Sequence, residues 1–328
     1  MAQILKPSSK ALKKAASLIR EGKLVAFPTE TVYGLGADAF NPKAVAKIFE
    51  VKNRPFFDPL IVHIADFEDL KKVASKVDEK AEILIKKFWP GPLTLVLPKT
   101  KTVPEIVSAG LKTVAVRMPS HPVALKLIKE AQVPIAAPSA NLFGYLSPTE
   151  AKHVADQLGK KIDLILDGGK CPIGIESTIL DLTSSPPALL RAGGLPLEEI
   201  EKVIGKVRII KKSEKVRSPG QLPSHYAPKT PLKILKGKNF KLPKNIKAGL
   251  LAFTPPKKKL PFKKIEVLSL KGDLSEAAAN FFSALHRLDE AGLDIIYAEP
   301  LPEIGLGRAM MERLKKAEKG SNSVAYPG

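Results

Sequence analysis

Residues 52–63 read KNRPFFDPLIVH, and they follow PTETVYGLGA at residues 28–37. A basic pair, Lys52 and Arg54, leads through Pro55 into a short apolar strand at residues 60–62 that ends on His63. Cations on a loop, placed by a rigid strand with a polar residue at its end, suit a multiply charged phosphate substrate. The stretch therefore points to an enzyme rather than a passive binding module. Upstream, Thr29, Glu30 and Thr31 follow a strand and precede Tyr33-Gly34-Leu35-Gly36, read as a turn whose glycines let the backbone approach a ligand closely.

Working outward, residues 11–20 carry apolar side chains at helical spacing, with Gly22 as the stop, and residues 23–27 form a short strand. Asn41 followed by Pro42 is an N-cap and first-turn proline, opening a helix to about residue 51. Helices at 67–74, 78–88, 122–131 and 197–204 are expected. Strands are expected at 93–97, 113–117, 135–137, 164–166, 176–182 and 188–191. Short connections between mixed elements make this an α/β domain. From Gly205 to Pro231 the pattern breaks into prolines, basic residues and Ser218-Pro219-Gly220, an extended linker that nonetheless holds His225 and Tyr226. Strands at 232–235, 248–253, 265–268 and 294–297 then alternate with helices at 274–290 and 306–318. This predicts a second, smaller, Rossmann-like α/β domain. PPKKKLPFKK at 255–264 is a solvated loop.

The 328 residues, 44% hydrophobic and 26% charged, suffice for two globular domains. No apolar run is long enough to predict a membrane span, and the first 22 residues read as an amphipathic helix rather than a signal peptide. Cys171 is the only cysteine, which excludes internal disulfides and cysteine-rich zinc clusters and suits a reducing cytosol. The formal net charge of +20 favours anionic partners such as nucleotide, tRNA or ribosome, and it equally fits a lysine-rich solvated surface. The P-loop, HExxH, CxxC and GxSxG signatures are absent.

The remaining candidates are distributed along the chain. Arg117 ends the strand in TVAVRMPSHP, where it can hold a carboxylate or phosphate bidentately or make a surface ion pair. AAPSANLFGYLSPT at 136–149 clusters Ser139, Asn141, Ser147 and Thr149, small groups that can contact phosphates, although Ser147 and Thr149 also suit capping of the next helix. GIESTILDLT at 174–183 puts Glu176, Ser177 and Thr178 at a strand start, and LLRAGG puts Arg191 at a strand end. His121, His153 and His286 are read as surface residues in helical or capping contexts.

PTETVYGLGA, KNRP…PLIVH, VAVRMP, APSAN, ESTILDL, LLRAGG and SPG…HYAP occur in a fixed order that resembles the threonylcarbamoyl-AMP synthase family in its long form. The resemblance spans almost the whole chain, including GLGRAMMERLKKA at 305–317 as the family's terminal helix. It implies a YrdC-like twisted mixed sheet with helices forming a basic cavity at 1–204, a linker or lid at 205–231, and a C-terminal Rossmann-like domain at 232–328. The implied reaction joins L-threonine, bicarbonate or CO2, and ATP into threonylcarbamoyl-AMP and pyrophosphate, for modification of tRNA.

By resemblance, Lys52 and Arg54 are catalytic and face the triphosphate. Thr31, His63, Arg117, Ala137 and Ser177 hold threonine, with Arg117 on its carboxylate. Asp58, Thr113, Ser139, Asn141, Ser147, Arg191 and Tyr226 join Lys52 and Arg54 around ATP. The resemblance also implies Mg2+ on the ATP phosphates without dedicated protein ligands, a downstream threonylcarbamoyl transferase, indirect or weak contact with tRNA, no membrane, and a cytoplasmic location. Two departures stand out: Asp58 replaces an asparagine common in the family, and Leu222-Pro223 stand where some relatives carry lysine and tyrosine. An RNA-binding protein without catalysis is the main alternative. A ribosome-associated factor and an enzyme making a different carbamoyl-adenylate are further ones.

Overall fold

The protein is described by a computed structural model covering residues 1–210, 225–236, 242–243 and 245–322. Ser218, Pro219, Gly220, Leu222 and Pro223 of the expected linker lie outside the described residues. The chain begins β1 (Gln3–Leu5), α1 (Ser9–Arg20), β2 (Val25–Phe27), β3 (Gly34–Asp38), α2 (Pro42–Lys52), β4 (Ile61–His63), α3 (Phe67–Val73) and α4 (Glu79–Phe88). It continues β5 (Leu93–Pro98), α5 (Glu105–Ser108), β6 (Thr113–Arg117), α6 (Pro122–Ala131), β7 (Ile135–Ala136), α7 (Ala151–Leu158) and β8 (Leu164–Leu166). Then come β9 (Thr178–Asp181), β10 (Ala188–Arg191), α8 (Leu197–Ile204) and β11 (Arg208–Ile209). The second region holds β12 (Leu232–Ile234), β13 (Ala248–Ala252), β14 (Lys264–Val267), α9 (Leu274–Asp289), β15 (Ile295–Ala298) and α10 (Gly305–Asn322).

Local chemistry explains most boundaries. Ser8, Asn41, Asp66, Asp78 and Asp273 each accept from a backbone N–H of the helix that follows, and Pro42 occupies the first turn of α2. In α1 the buried residues are Ala11, Leu12, Ala15, Ala16 and Ile19, the stripe that helical spacing predicts.

The first region is one eleven-stranded mixed sheet, ordered β1-β8-β2-β3-β7-β4-β6-β5-β9-β10-β11. Strand direction is what assembles the site. β4 and β6 run parallel with His63 beside Arg117, while β5 runs antiparallel to β6. β9 is parallel to β5, and β10 is antiparallel to β9. The ends of β4, β6 and β10 and the start of β9 therefore meet at one edge. The second region is a four-stranded sheet, β12-β15-β13-β14, parallel throughout and packed against α9 and α10.

Three expectations are corrected. The segment around Gly34 and Gly36 is a strand, not a turn; a Cβ on Gly36 would lie 2.8 Å from both Phe27 and Ile135, so that glycine serves core packing. The segment after Gly205 begins with β11, paired parallel to β10, instead of being extended linker throughout. His153 and His286 are buried and stack at 3.9 Å between ring centroids, because α9 closes over the start of α7. β1 and α5 have no counterpart among the expected elements; three and four residues are too few to carry a pattern.

Candidate active site

At the shared strand edge lies a narrow cavity with about 40 Å³ of free volume. It is lined by Thr29, Val32, Gly34, Arg54, Ile61, His63, Arg117, Ala137, Pro138, Ser139, Glu176, Ser177, Arg191, His225 and Tyr226. Of the residues singled out in the sequence, His63, Arg117, Ala137, Ser177, Arg54, Ser139, Arg191 and Tyr226 line it. Lys52, Thr31, Asp58, Thr113, Asn141 and Ser147 do not.

The absent ones have other partners. Lys52, fully buried at the end of α2, donates to the carbonyls of Ser139 (2.6 Å) and Asn141, and so ties that loop to the helix instead of facing the cavity. Burial, reinforced by the neighbouring Arg54, pushes its ammonium well below the ordinary lysine range. Thr31 Oγ1 accepts from Arg117 Nη1 at 2.9 Å. Asn141 donates to the carbonyls of Leu142 and Tyr145. Ser147 donates to Glu176, and Thr149 bonds Ser283, so neither caps α7, whose N-cap Glu150 makes no side-chain capping bond. Thr113 opens β6, at the far end of the strand from Arg117.

The cavity's charges come in pairs, with one exception. Arg54 pairs with Asp58 at 3.0 Å and donates to the carbonyls of Asp58 and Pro59. The carboxylate that departs from the family pattern is thus turned onto an arginine, away from the cavity. Burial pushes the Asp58 carboxyl up, against the pull of Arg54. Arg117 pairs with Glu30 at 2.6 Å and donates to the Gly91 carbonyl. Glu176 pairs with Arg313 at 2.9 Å. Arg191 is the exception: it donates to the carbonyl and hydroxyl of Ser177, and among the described residues no carboxylate lies within ion-pair distance. Burial lowers its pKa from the ordinary arginine value.

His63 is 4% exposed, and its Nδ1 has no hydrogen-bond partner among the described residues. Burial, with Arg117 beside it, lowers its pKa to about 3, so the ring is neutral. Over the cavity, His225 and Tyr226 stack at 4.2 Å, and Tyr226 adopts a left-handed φ of 63°. A bulky residue in that conformation is held there by its surroundings. Here they are Phe282 of α9 and the guanidinium of Arg313, 5.3 Å from the ring centre. At LLRAGG, a Cβ on Gly193 would lie 2.3 Å from the Ser177 backbone, so only glycine lets Arg191 come this close to the start of β9.

The cavity brings in residues that the motifs had left unassigned, chiefly Glu176 and His225, and reaches Arg313 in the terminal helix. The signal for Arg313 is its spacing. It stands four residues from both Ala309 and Ala317, which are buried, and so lies on the helix's apolar stripe.

Residues 17–193 match the family model described as Telomere recombination, covering Sua5, YciO and YrdC, and residues 195–318 match that described as Threonylcarbamoyl-AMP synthase, C-terminal domain. The chain is 51% identical to the threonylcarbamoyl-AMP synthase of Pyrococcus abyssi, covering 93% of each. It is 46% identical to that of Bacillus subtilis, over 94% of this chain and 93% of the relative. The crystal structure of P. abyssi Sua5 complexed with L-threonine superposes with a TM-score of 0.90 at 47% identity, covering 98% of both chains.

Proposed function

The chain belongs to the threonylcarbamoyl-AMP synthase family, and we propose that the cavity described above makes threonylcarbamoyl-AMP and pyrophosphate from L-threonine, bicarbonate or CO2, and ATP. The observation that carries this reading is the convergence of Arg54, Arg117 and Arg191 on one narrow cavity beside a neutral histidine. Such a site needs only to bind, orient and stabilise charge. Carbamate formed on threonine is short-lived in water, and a closed cavity protects it.

Threonine sits between His63, Arg117, Ala137 and Ser177, with Thr31 acting through Arg117. Glu30 and Thr31 hold the Arg117 guanidinium in one orientation, which leaves it set to meet the substrate carboxylate. The open Nδ1 of His63 offers a neutral contact that adds no charge beside Arg117. Arg191, with no carboxylate within ion-pair distance among the described residues, and Arg54 meet the triphosphate. Ser139, Asn141 and Ser147 shape the nucleotide loop, with Lys52 clamping it from behind, and Thr113 and Asp58 remain at the margin. At 40 Å³ the cavity holds little more than water, so His225 and Tyr226 withdraw to admit ATP and return over it. They belong to the segment 205–231, whose start is β11 and whose later part serves as the lid joining a catalytic domain, 1–204, to a C-terminal domain, 232–328.

The ATP phosphates would hold magnesium, whose chemistry there would be to neutralise charge on the triphosphate. The nearby carboxylates Glu30, Asp58 and Glu176 are each held by an arginine, and among the described residues no cluster of three metal-binding side chains occurs. The protein works in the cytoplasm and passes its product to a threonylcarbamoyl transferase, meeting tRNA indirectly or weakly. No described helix is long and apolar enough to cross a membrane.

The test is mass spectrometry of the products from purified protein, ATP, magnesium and bicarbonate, with and without threonine. Threonine-dependent threonylcarbamoyl-AMP with pyrophosphate is expected. Absence of both, together with salt-sensitive RNA affinity, would replace this reading with the RNA-binding one.

A further inference from the structure

The largest of the fully buried side chains is a charge. Arg313, on α10 of the second region, is 1% exposed. Burying a guanidinium is costly unless every donor finds a partner, and the partners of Arg313 belong mostly to the catalytic region. Its Nε donates to Glu176 Oε2 at 3.0 Å, and its Nη1 donates to the carbonyls of Ala192 at 2.7 Å and Ala309 at 3.1 Å. Its plane lies over Tyr226. Glu176 and Tyr226 line the cavity, and Ala192 adjoins Arg191, which also lines it.

Arg191 is anchored on Ser177, the residue next to Glu176. Without Arg313, the Glu176 carboxylate would be buried beside Arg191 with the Ser147 hydroxyl as its remaining side-chain hydrogen-bond partner among the described residues. It would then compete with phosphate for that cation. We propose that Arg313 is a positioning residue for ATP: by occupying Glu176 it keeps Arg191 free for the triphosphate, and it sets Tyr226 over the cavity. The second domain thus completes the charge balance of a site to which it contributes no lining residue. This inference rests on the proposed synthase activity.

The experiment measures KM for ATP and for threonine separately in the full chain. It compares wild type, Arg313→Met, and Arg313→Met combined with Glu176→Gln. Arg313→Met should raise KM for ATP by roughly ten-fold or more, leaving KM for threonine within about two-fold. Adding Glu176→Gln should return most of the ATP affinity, because the competing charge is gone. In Arg313→Met, lowering the pH should also reduce KM for ATP, since protonation of Glu176 releases Arg191; wild type should show no such trend.

Equal losses for both substrates, or no rescue by Glu176→Gln, would reduce Arg313 to a structural contact and overturn the proposal. If Arg313→Met does not fold, the double variant decides. A folded double variant with ATP affinity near wild type supports the proposal, and one that is unfolded or unable to bind ATP overturns it. A wild type that makes no threonylcarbamoyl-AMP would instead overturn the function on which the inference stands.

Discussion

The two sheets are built from the same alternation of helix and strand, yet they use their strand ends differently. At the edge of the eleven-stranded sheet, β4, β6 and β10 end on His63, Arg117 and Arg191, all buried and all facing one cavity. In the four-stranded sheet the corresponding positions serve the fold. Glu299, after β15, accepts from the Phe253 N–H, and Ser269, after β14, donates to Glu276 of α9. No lysine or arginine on its described strands is buried. Buried cations are costly unless something offsets them. A region that collects several at one edge is organised around an anionic ligand, and one that avoids them is organised around packing. Among the described residues, the second region reaches Tyr226 and Glu176 through its helices, by Phe282 and Arg313.

Matched substitutions at the two sheets should differ most in their effect on activity. Arg191→Met should lower kcat/KM for ATP by about a hundred-fold or more, the scale of removing one preorganised charge from a transition-state site. Lys264→Met, at the start of β14, should leave it unchanged. Comparable losses in steady-state assays of the two variants would erase the distinction.

The next comparison is between two tight glycines. Gly193→Ala places its Cβ against the Ser177 and Glu176 backbone, which cannot yield, and should cost about 1–3 kcal/mol of stability along with activity. Gly249→Ala meets the movable side chains of Leu293 and Leu288 and should lower the melting temperature less, with kcat/KM retained.

Acid sensitivity sharpens the contrast further. His63 and His153 have pKa values lowered to about 3, and His225 lies well below its usual range, in each case mainly through burial. The unfolded chain takes up these protons near pH 6.5, and the folded chain does so only far below. Their stabilisation is therefore complete above about pH 6.5 and is lost progressively as the pH falls towards 3. The melting temperature should fall between about pH 7 and pH 5. A His63→Gln, His153→Gln variant should lose fewer degrees over that interval, since these groups sit in the first region. The smallest effect is expected for Lys257, Lys258 and Lys259, exposed in the second region. Replacing all three with alanine should keep product formation within about two-fold of wild type.

The chain's local chemistry was legible wherever a pattern recurs over several residues. The capped start of α2, the proline start of α6, the strands β6, β8 and β10, and the helix α8 all follow from apolar spacing and cap residues. The motif order carried the family, and most of the strand-end polar residues that it marked do line the cavity. What sequence could not supply was the direction in which a side chain spends its charge. Lys52 and Asp58 stand in the motif that suggested a phosphate site, yet one holds a loop and the other neutralises Arg54. Two buried histidines looked like surface residues because their burial comes from a helix more than 100 residues away in the chain.

Most of the elements, their order and the family resemblance are legible in the chain alone, because propensity, capping and motif spacing act between near neighbours; among the strands, β1, β3 and β11 are the exceptions, fixed by pairing with other strands. Packing in three dimensions settles that Arg191, alone among the cavity's arginines, has no carboxylate within ion-pair distance among the described residues, and that Arg313, far along the chain, holds Glu176. Electrostatic pairing depends on distance in space and on exclusion of water, and both exist only once the two regions have packed together.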